Sequence, residues 1–470
     1  MTERSDQNNG SRRLPRRLAR KQLAALAAIG LVLLLAAAAA LAVTGALTQP
    51  GGAAGCISET AAGPCADGHG LVGANTVVVS SDGKNVYAAS DNSVVRLKRN
   101  TATGKITQPT GTAGCISDTG AGPCANGHAL SGVFGLAMSL DGKSVYAVSQ
   151  NSDAVVRFKR NTTTGALTQP SGTAGCISET GAGPCANGHA LNGADAVTVT
   201  NDGKSVYVTS QDGVVRLKRD TSNGAISQPV GTDGCISETG AGSCANGHGL
   251  TGGADAVRVS PNGNSVYVAS FPSDDVVGFS RDTATGAITE GAGAGACISE
   301  TGAGPCANGH ALTGAVALAM SPNGKSLYVA ANTGNAVVRL KRDPVTGALT
   351  ELAGAGACIS ENGAGPCANG HALVGPLWLT VSSDGKSVYT ASHMSNAVVG
   401  FKRNTNPGAN HGAITEPPGA GACISETGAG VCANGHALLS PLSVEVSVDG
   451  KSVYVASHLS DAVARLNRTP

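Results

Sequence analysis

One pattern constrains this chain more than any other. The stretch CISETGAGPCANGHAL, Cys176 to Leu191, returns unchanged from Cys297 to Leu312, and close variants start at Cys56, Cys115, Cys235, Cys358 and Cys423. The spacing between first cysteines runs 59, 61, 59, 62, 61 and 65 residues. All seven tyrosines share one register: Tyr87, Tyr146, Tyr207, Tyr267, Tyr328, Tyr389 and Tyr454. A chain written seven times at one period is built of seven like units, and this overrides any domain count drawn from its 470 residues.

Each unit reads as four short strands. In the third these are DAVTVT, SVYVTS, VVRLKRD and AISQP, separated by NDGK, QDG and TSNG. Val and Tyr favour strands, and Asp-Gly and Asn-Gly mark tight turns. With 67 glycines and 41% apolar residues, the composition suits many short, packed strands. Four strands per repeat point to propeller blades. The last unit ends on a third strand, VARLNRTP (Val463 to Pro470), while TGALTQP (Thr44 to Pro50) is a fourth strand with nothing before it. Together they make one blade, and pairing them buries two sheet edges. The prediction is an all-β, seven-bladed β-propeller over residues 44–470, with four-stranded blades and the last blade closed by the N-terminal strand.

The pattern VSxDGKSVYVASxxSDAVVRxKRxxxTGALT, read here as SLDGKSVYAVSQNSDAVVRFKRNTTTGALT (Ser139 to Thr168), resembles the repeats of the YVTN-type and lactonase-like seven-bladed propellers. The resemblance spans the whole region after residue 43. It implies the fold, and it admits either lactone-hydrolysing enzymes or envelope propellers without chemistry. No local motif carries that family's catalytic residues onto positions of this chain, and the cysteine stretch departs from its cytoplasmic enzymes.

Residues 1–22 form a basic segment, and Leu23 to Val43 is an uncharged, mostly Ala/Leu stretch. It is long enough to cross a bilayer, which takes about 20 residues. Ala40 to Ala42 also offers a signal-peptidase site, so 23–43 is either a cleaved signal peptide or a single transmembrane anchor. Either way the basic flank stays inside and the propeller is exported, to the cell envelope or the extracellular space. Residues 1–42 hold seven Lys/Arg and two Asp/Glu, which leaves 25 positive and 29 negative charges, a net −4, on the rest. With no basic patch and few aromatics, nucleic acid is excluded as a partner. Contact with a membrane is expected only through the N-terminal segment, if uncleaved.

Each unit carries C-x8-C-x3-H. In an exported chain, fourteen cysteines in seven pairs favour disulfides: Cys56 with Cys65, Cys115 with Cys124, Cys176 with Cys185, Cys235 with Cys244, Cys297 with Cys306, Cys358 with Cys367 and Cys423 with Cys432. A loop of about ten residues closed this way contributes at most roughly 2.5–3 kcal/mol. The competing reading is a metal site of two thiolates, an imidazole and Glu179 or its counterparts, although the gap between cysteines exceeds that of common zinc knuckles. The histidines (His69, His128, His189, His248, His310, His371 and His436) are either hydrogen-bond partners of their loops or a ring of ligands on one face. A feature present in every blade serves the blade more readily than one active centre, so the reading calls for no metal and no cofactor. At the turns, Asp82, Asp141, Asp202, Asn262, Asn323, Asp384 and Asp449 interchange acid and amide, which asks for turn geometry and not for calcium. The Lys and Arg of VRLKR are expected on a solvated blade face.

Function is then sought where the units differ. On the innermost strand one register carries Val78, Ala137, Thr198, Arg258, Ala319, Thr380 and Glu445, and two residues earlier stands Trp378, the only tryptophan. The loop after the second strand carries Asp91, Gln150, Gln211, Phe271, Asn332, His393 and His458. Loops after the second and fourth strands open on one face, which makes a mouth with His393, His458, Trp378, Glu445 and Arg258 as candidate ligand-binding residues. The alternative is drift at tolerant positions. Two functions are expected: a binding or scaffold propeller for an unidentified small molecule, glycan or protein, or a lactonase-like hydrolase with His393 or His458 as base and Arg258 as oxyanion partner. The sixth unit also inserts NPGANHGA (Asn406 to Ala413), with His411 expected in an exposed loop.

Overall fold

The computed structural model describes residues 44–291, 293–302 and 304–470. The basic segment and the signal or anchor stretch lie outside the described residues. Among those described, no helix is long and apolar enough to cross a membrane.

Seven sheets, antiparallel except at their outermost strand, form a seven-bladed propeller. Blades are numbered here by the order of their inner strands. Blade 3 has an inner strand Val197–Val199, a second Ser205–Ser210 and a third Gly213–Arg219. Its fourth position is divided. Ile226–Ser227 pairs with one end of the third strand, Cys235–Ser237 pairs with the other, and the Gly231–Asp233 turn separates them. Ala245–Asn246 then adds a short parallel strand outside. The four-strand plan is thus kept, but the cysteine stretch supplies part of the fourth strand. The outermost strand is too short to recruit another chain.

Every residue of the second strand is buried in every blade. Such strands have a neighbouring blade on each face, which is why SVYVAS-type runs are almost continuously apolar instead of alternating. The core is correspondingly seven clusters shared between neighbouring blades. One of them joins Tyr267 and Val276 of blade 4 to Val329 and Leu340 of blade 5. The ring closes as expected: Leu47 and Thr48 pair with Arg468 and Asn467, and Cys56 pairs with Ala464.

The tyrosine register forms the joints between blades. Each Tyr hydroxyl donates to a glycine carbonyl in the next blade's hairpin at 2.5–2.7 Å, Tyr87 to Gly165 for example. It accepts in turn from Nε of an arginine in that blade at 2.6–2.9 Å. These arginines (Arg99, Arg160, Arg219, Arg281, Arg342, Arg403 and Arg468) are buried, so the solvated face expected for VRLKR holds only for the lysines.

Five of the seven arginines also meet the turn carboxylate of the preceding blade: Arg99–Asp449, Arg160–Asp82, Arg219–Asp141, Arg281–Asp202 and Arg468–Asp384. Turn geometry alone therefore does not account for those aspartates. One oxygen of Asp82 accepts from Ser80 and Lys84 within the turn, and the other takes Arg160 across the joint. Burial works to raise its pKa, but the hydrogen bonds of Ser80 and Arg160 outweigh it and hold Asp82 at about 2.

All fourteen cysteines are bonded within their own stretch, with Cα–Cα separations of 4.6–4.8 Å. No thiolate is left for a metal. Glu179, the candidate fourth ligand, instead accepts from Leu191 N at 2.6 Å and closes the loop, as its counterparts do in the other six blades.

Candidate functional site

The variable inner-strand register lies directly opposite the tyrosines. Arg258 pairs with Tyr267, Thr380 with Tyr389 and Glu445 with Tyr454. Because the tyrosines fix the second strands, this register is held rigidly around the axis. Thr198, Arg258, Met320, Thr380 and Glu445 line an axial cavity of about 310 Å3 that opens toward the Asp-Gly turns. Above it, a narrow space of about 30 Å3, large enough for about one water, is lined by Leu136, Val257, Arg258, Leu318 and Trp378. Arg258 belongs to both.

The polar groups of this channel are only partly satisfied by the protein. Arg258 donates from Nε to Leu318 O at 2.8 Å, which orients its guanidinium. Thr380 donates to Glu445 Oε2 at 3.3 Å. Among the described residues no ion pair within 4.0 Å joins Arg258 to Glu445, yet each acts on the other's charge. Burial pushes Glu445 up to about 7, against the opposing effects of Arg258 and Thr380. Burial also lowers Arg258, and Glu445 opposes that. The shift brings the carboxyl of Glu445 toward neutrality, where it can give or take a proton. Trp378 buries its indole Nε1 with no acceptor among the described residues, although buried polar groups are ordinarily paired.

His393 and His458 do not join this cluster and line neither axial cavity. His393 Nδ1 lies 2.8 Å from Gly375 O, and His458 Nδ1 lies 3.1 Å from Asn75 Oδ1. Each neighbour accepts a hydrogen bond there, so the network assigns the proton to Nδ1 and leaves Nε2 as the accepting nitrogen. The five candidates thus separate into Arg258, Glu445 and Trp378 on the axis and two half-buried histidines at the loop rim.

Two residues of the mouth escaped sequence reasoning. Asp195 and Asp255 stand just before the inner strands of neighbouring blades 3 and 4, Val197–Val199 and Ala256–Val259. Burial, reinforced by the charge of Asp255, pushes Asp195 well above the carboxylate range, and Gln150 donates to it at 2.5 Å. Burial also raises Asp255, which accepts from Phe271 N at 2.6 Å. Their register, seven residues before the turn Asp or Asn, reads Asn75, Phe134, Asp195, Asp255, Val316, Leu377 and Leu442. Two adjacent acids in an otherwise uncharged ring were the available signal. Among the described residues no group of three or more His, Cys, Asp or Glu is placed to hold a metal ion.

These features define a disulfide-stapled, seven-bladed β-propeller with a polar axial channel. No protein-family model and no curated protein sequence matches the chain. Solved structures do. The periplasmic gluconolactonase of Pseudomonas aeruginosa is similar at 16% identity and a TM-score of 0.53, over 83% of this chain and 91% of that one. A 6-phosphogluconolactonase-like protein from Bacteroides uniformis is similar at 20% identity and 0.46, over 72% and 82%. The hydrazine synthase of Kuenenia stuttgartiensis is similar at 16% and 0.47, over 85% and 96%. The likeness to the Pseudomonas protein is one of fold.

Proposed function

We propose that the chain is an exported propeller that binds a small hydroxylated acid, or its cyclic ester, on the propeller axis. The observation that carries this reading is the partly unsatisfied polar set Arg258, Glu445 and Trp378 in a channel otherwise lined mainly by small and apolar residues. Arg258 would pair with a carboxylate or ring carbonyl, Glu445 would bond a hydroxyl, and Trp378 would donate to a water held in the narrow space beside Arg258. His393 and His458 would offer Nε2 to any part of the ligand reaching the rim. Export is supported by seven disulfides, which persist in oxidising compartments.

A second reading, lactonase-like hydrolysis, draws on the carboxyl of Glu445 near neutrality beside a guanidinium, in a fold shared with a gluconolactonase. In that reading Glu445 takes the proton of the attacking water and Arg258 stabilises the oxyanion at the ring carbonyl. Calorimetric titration with sugar acids and their lactones tests the binding reading. The wild-type chain is expected to bind at least one of them, and Arg258→Gln to weaken that binding about tenfold, roughly 1.4 kcal/mol. Equal binding by both proteins overturns it. Acid release from the lactones, lost in Glu445→Gln, would move the assignment to the second reading.

A further inference from the structure

A second cavity, about 670 Å3, lies away from the axis on the flank of blade 5. Its floor is the third strand Ala336–Arg342 and the hairpin that follows, and its roof is the inserted segment of blade 6, from Thr405 to His411. The usual hairpin closes tightly, with Gly104 N donating to Asn100 O. In blade 6 the equivalent bond runs from Gly412 N to Asn404 O, four residues longer. The insertion is anchored as well as long. His411 Nε2 lies 2.8 Å from Asn323 Nδ2, and its Nδ1 lies 3.1 Å from Asn406 O. The exposed loop residue expected from the sequence is thus a half-buried tie between blades 5 and 6.

The cavity is cationic. Lys325, Arg339, Lys341 and Arg342 line it against a single carboxylate, Asp343. That carboxylate is turned into its own hairpin, accepting from Val345 N and Thr346 N at 2.8 and 3.1 Å. The two arginines also lack partners that the repeat supplies, a carboxylate for Arg342 and a turn carbonyl for Arg339. Arg342 meets Asn262 at 3.4 Å where five other joints supply an aspartate. Arg339 is 2% exposed and its Nη2 donates to His411 O, while its Nε and Nη1 have no partner among the described residues. In four other blades the equivalent Nη1 donates to a turn carbonyl at 3.2–3.3 Å. Unneutralised buried guanidinium groups are costly, and an oxyanion nearby relieves that cost. The volume falls within the range of small-molecule sites.

We propose that this flank cavity is a second binding site, separate from the axial channel, for an organic polyanion bearing carboxylate or phosphate groups. The exposed Lys325 and Lys341 make the direct contacts, Arg339 and Arg342 supply the field behind them, and the insertion closes over the ligand. The test is calorimetric titration of the full chain carrying Arg258→Gln, so that the axial arginine contributes nothing, at low ionic strength. Citrate, pyrophosphate and neutral sucrose are the probes. Citrate or pyrophosphate is expected to bind, and whichever binds more tightly identifies the anion class, while sucrose does not bind. Lys325→Gln with Lys341→Gln should weaken binding at least tenfold, as should deletion of residues 406–409. Failure of both anions to bind, equal binding of sucrose, or unchanged affinity in the lysine variant overturns the proposal.

Discussion

The ring has two kinds of joint, and they divide it into two arcs. At four joints, from blade 6 through blade 7 to blade 3, a glutamine bridges the preceding blade's histidine. Gln169, for example, accepts from His128 N and donates to His128 O, both at 2.9 Å. The residue before the cysteine is then glycine, and at three of these joints the imidazole packs on it. A Cβ at Gly175 would lie 2.9 Å from His128 Nε2, at Gly55 2.7 Å from His436 Nε2 and at Gly234 3.0 Å from His189 Nε2. At the joints between blades 3 and 6 the pair is glutamate and alanine: Glu290 with Ala296, Glu351 with Ala357 and Glu416 with Ala422. There the methyl group stands where the glycine left room. His248, His310 and His371 are 51–53% exposed, with Nδ1 3.3–3.5 Å from the carboxylate.

The second arc also holds Arg258, Asn262, Asn323 and the insertion. The repeat thus tolerates change in one arc while the other keeps its joints uniform, and both proposed sites draw residues from the tolerant arc. A repeated feature steadies blades. Its loss in particular copies leaves charges without the partner that the repeat supplies, as at Arg342.

The largest effect expected from this contrast lies in the arginine joints. Arg219→Met leaves Asp141 and the Tyr146 hydroxyl without their partner and should cost about 3–5 kcal/mol in chemical denaturation. Arg342→Met, at a joint with no carboxylate, should cost less than half of that. Equal losses would mean that the carboxylates add nothing to the joints.

Next in size is Gly175→Ala. Its Cβ would come 2.2 Å from Pro170 O as well as against His128, an overpacking cost of about 1–3 kcal/mol. Gln169→Glu combined with Gly175→Ala rebuilds the joint of the other arc and should recover at least half of the loss. No recovery would show that glutamate and alanine are not a coupled pair.

The smallest effect is on pH dependence, where the arcs should oppose each other. Burial raises Glu290, Glu351 and Glu416, so the stability tied to their protonated form is full below about pH 4.5 and is lost as pH rises through their folded values. Burial lowers His128 and His436, so their contribution is present above about pH 6.5 and is lost as pH falls below it. Replacing the three glutamates by glutamine should therefore move the pH of greatest stability upward, and replacing His128 and His436 by glutamine should move it downward. Denaturation midpoints between pH 4 and 9 measure both shifts, and shifts of the same sign would contradict the contrast.

Much of this was legible in the residues. The tyrosine register, the Val-rich runs and the two half-blades at the ends give blade number and closure, because strand periodicity and turn chemistry are local. The cysteine pairing followed from the even count and the expected export. The arginine–aspartate joints were not legible: VRLKR alternates charged and apolar residues as an exposed strand does, and only the adjacency of strand ends in different blades shows that Arg219 is buried against Asp141. The axial set was recognised by its variation, but distance around a ring is not written in the sequence. His393 and His458 were therefore grouped with residues whose axial cavities they do not line, while Asp195 and Asp255 passed unnoticed. The flank cavity depends on an insertion in one blade folding over another.

The central claim is that the repeated stretch is structural and that function resides in the unrepeated residues. The most direct test is the intact mass of the protein isolated from its own compartment, measured native and denatured. The account predicts a chain fourteen hydrogens lighter than the reduced form, with no native mass in multiples of a metal ion. Reduced cysteines accompanied by up to seven metal ions would contradict it and return the chemistry to the repeat.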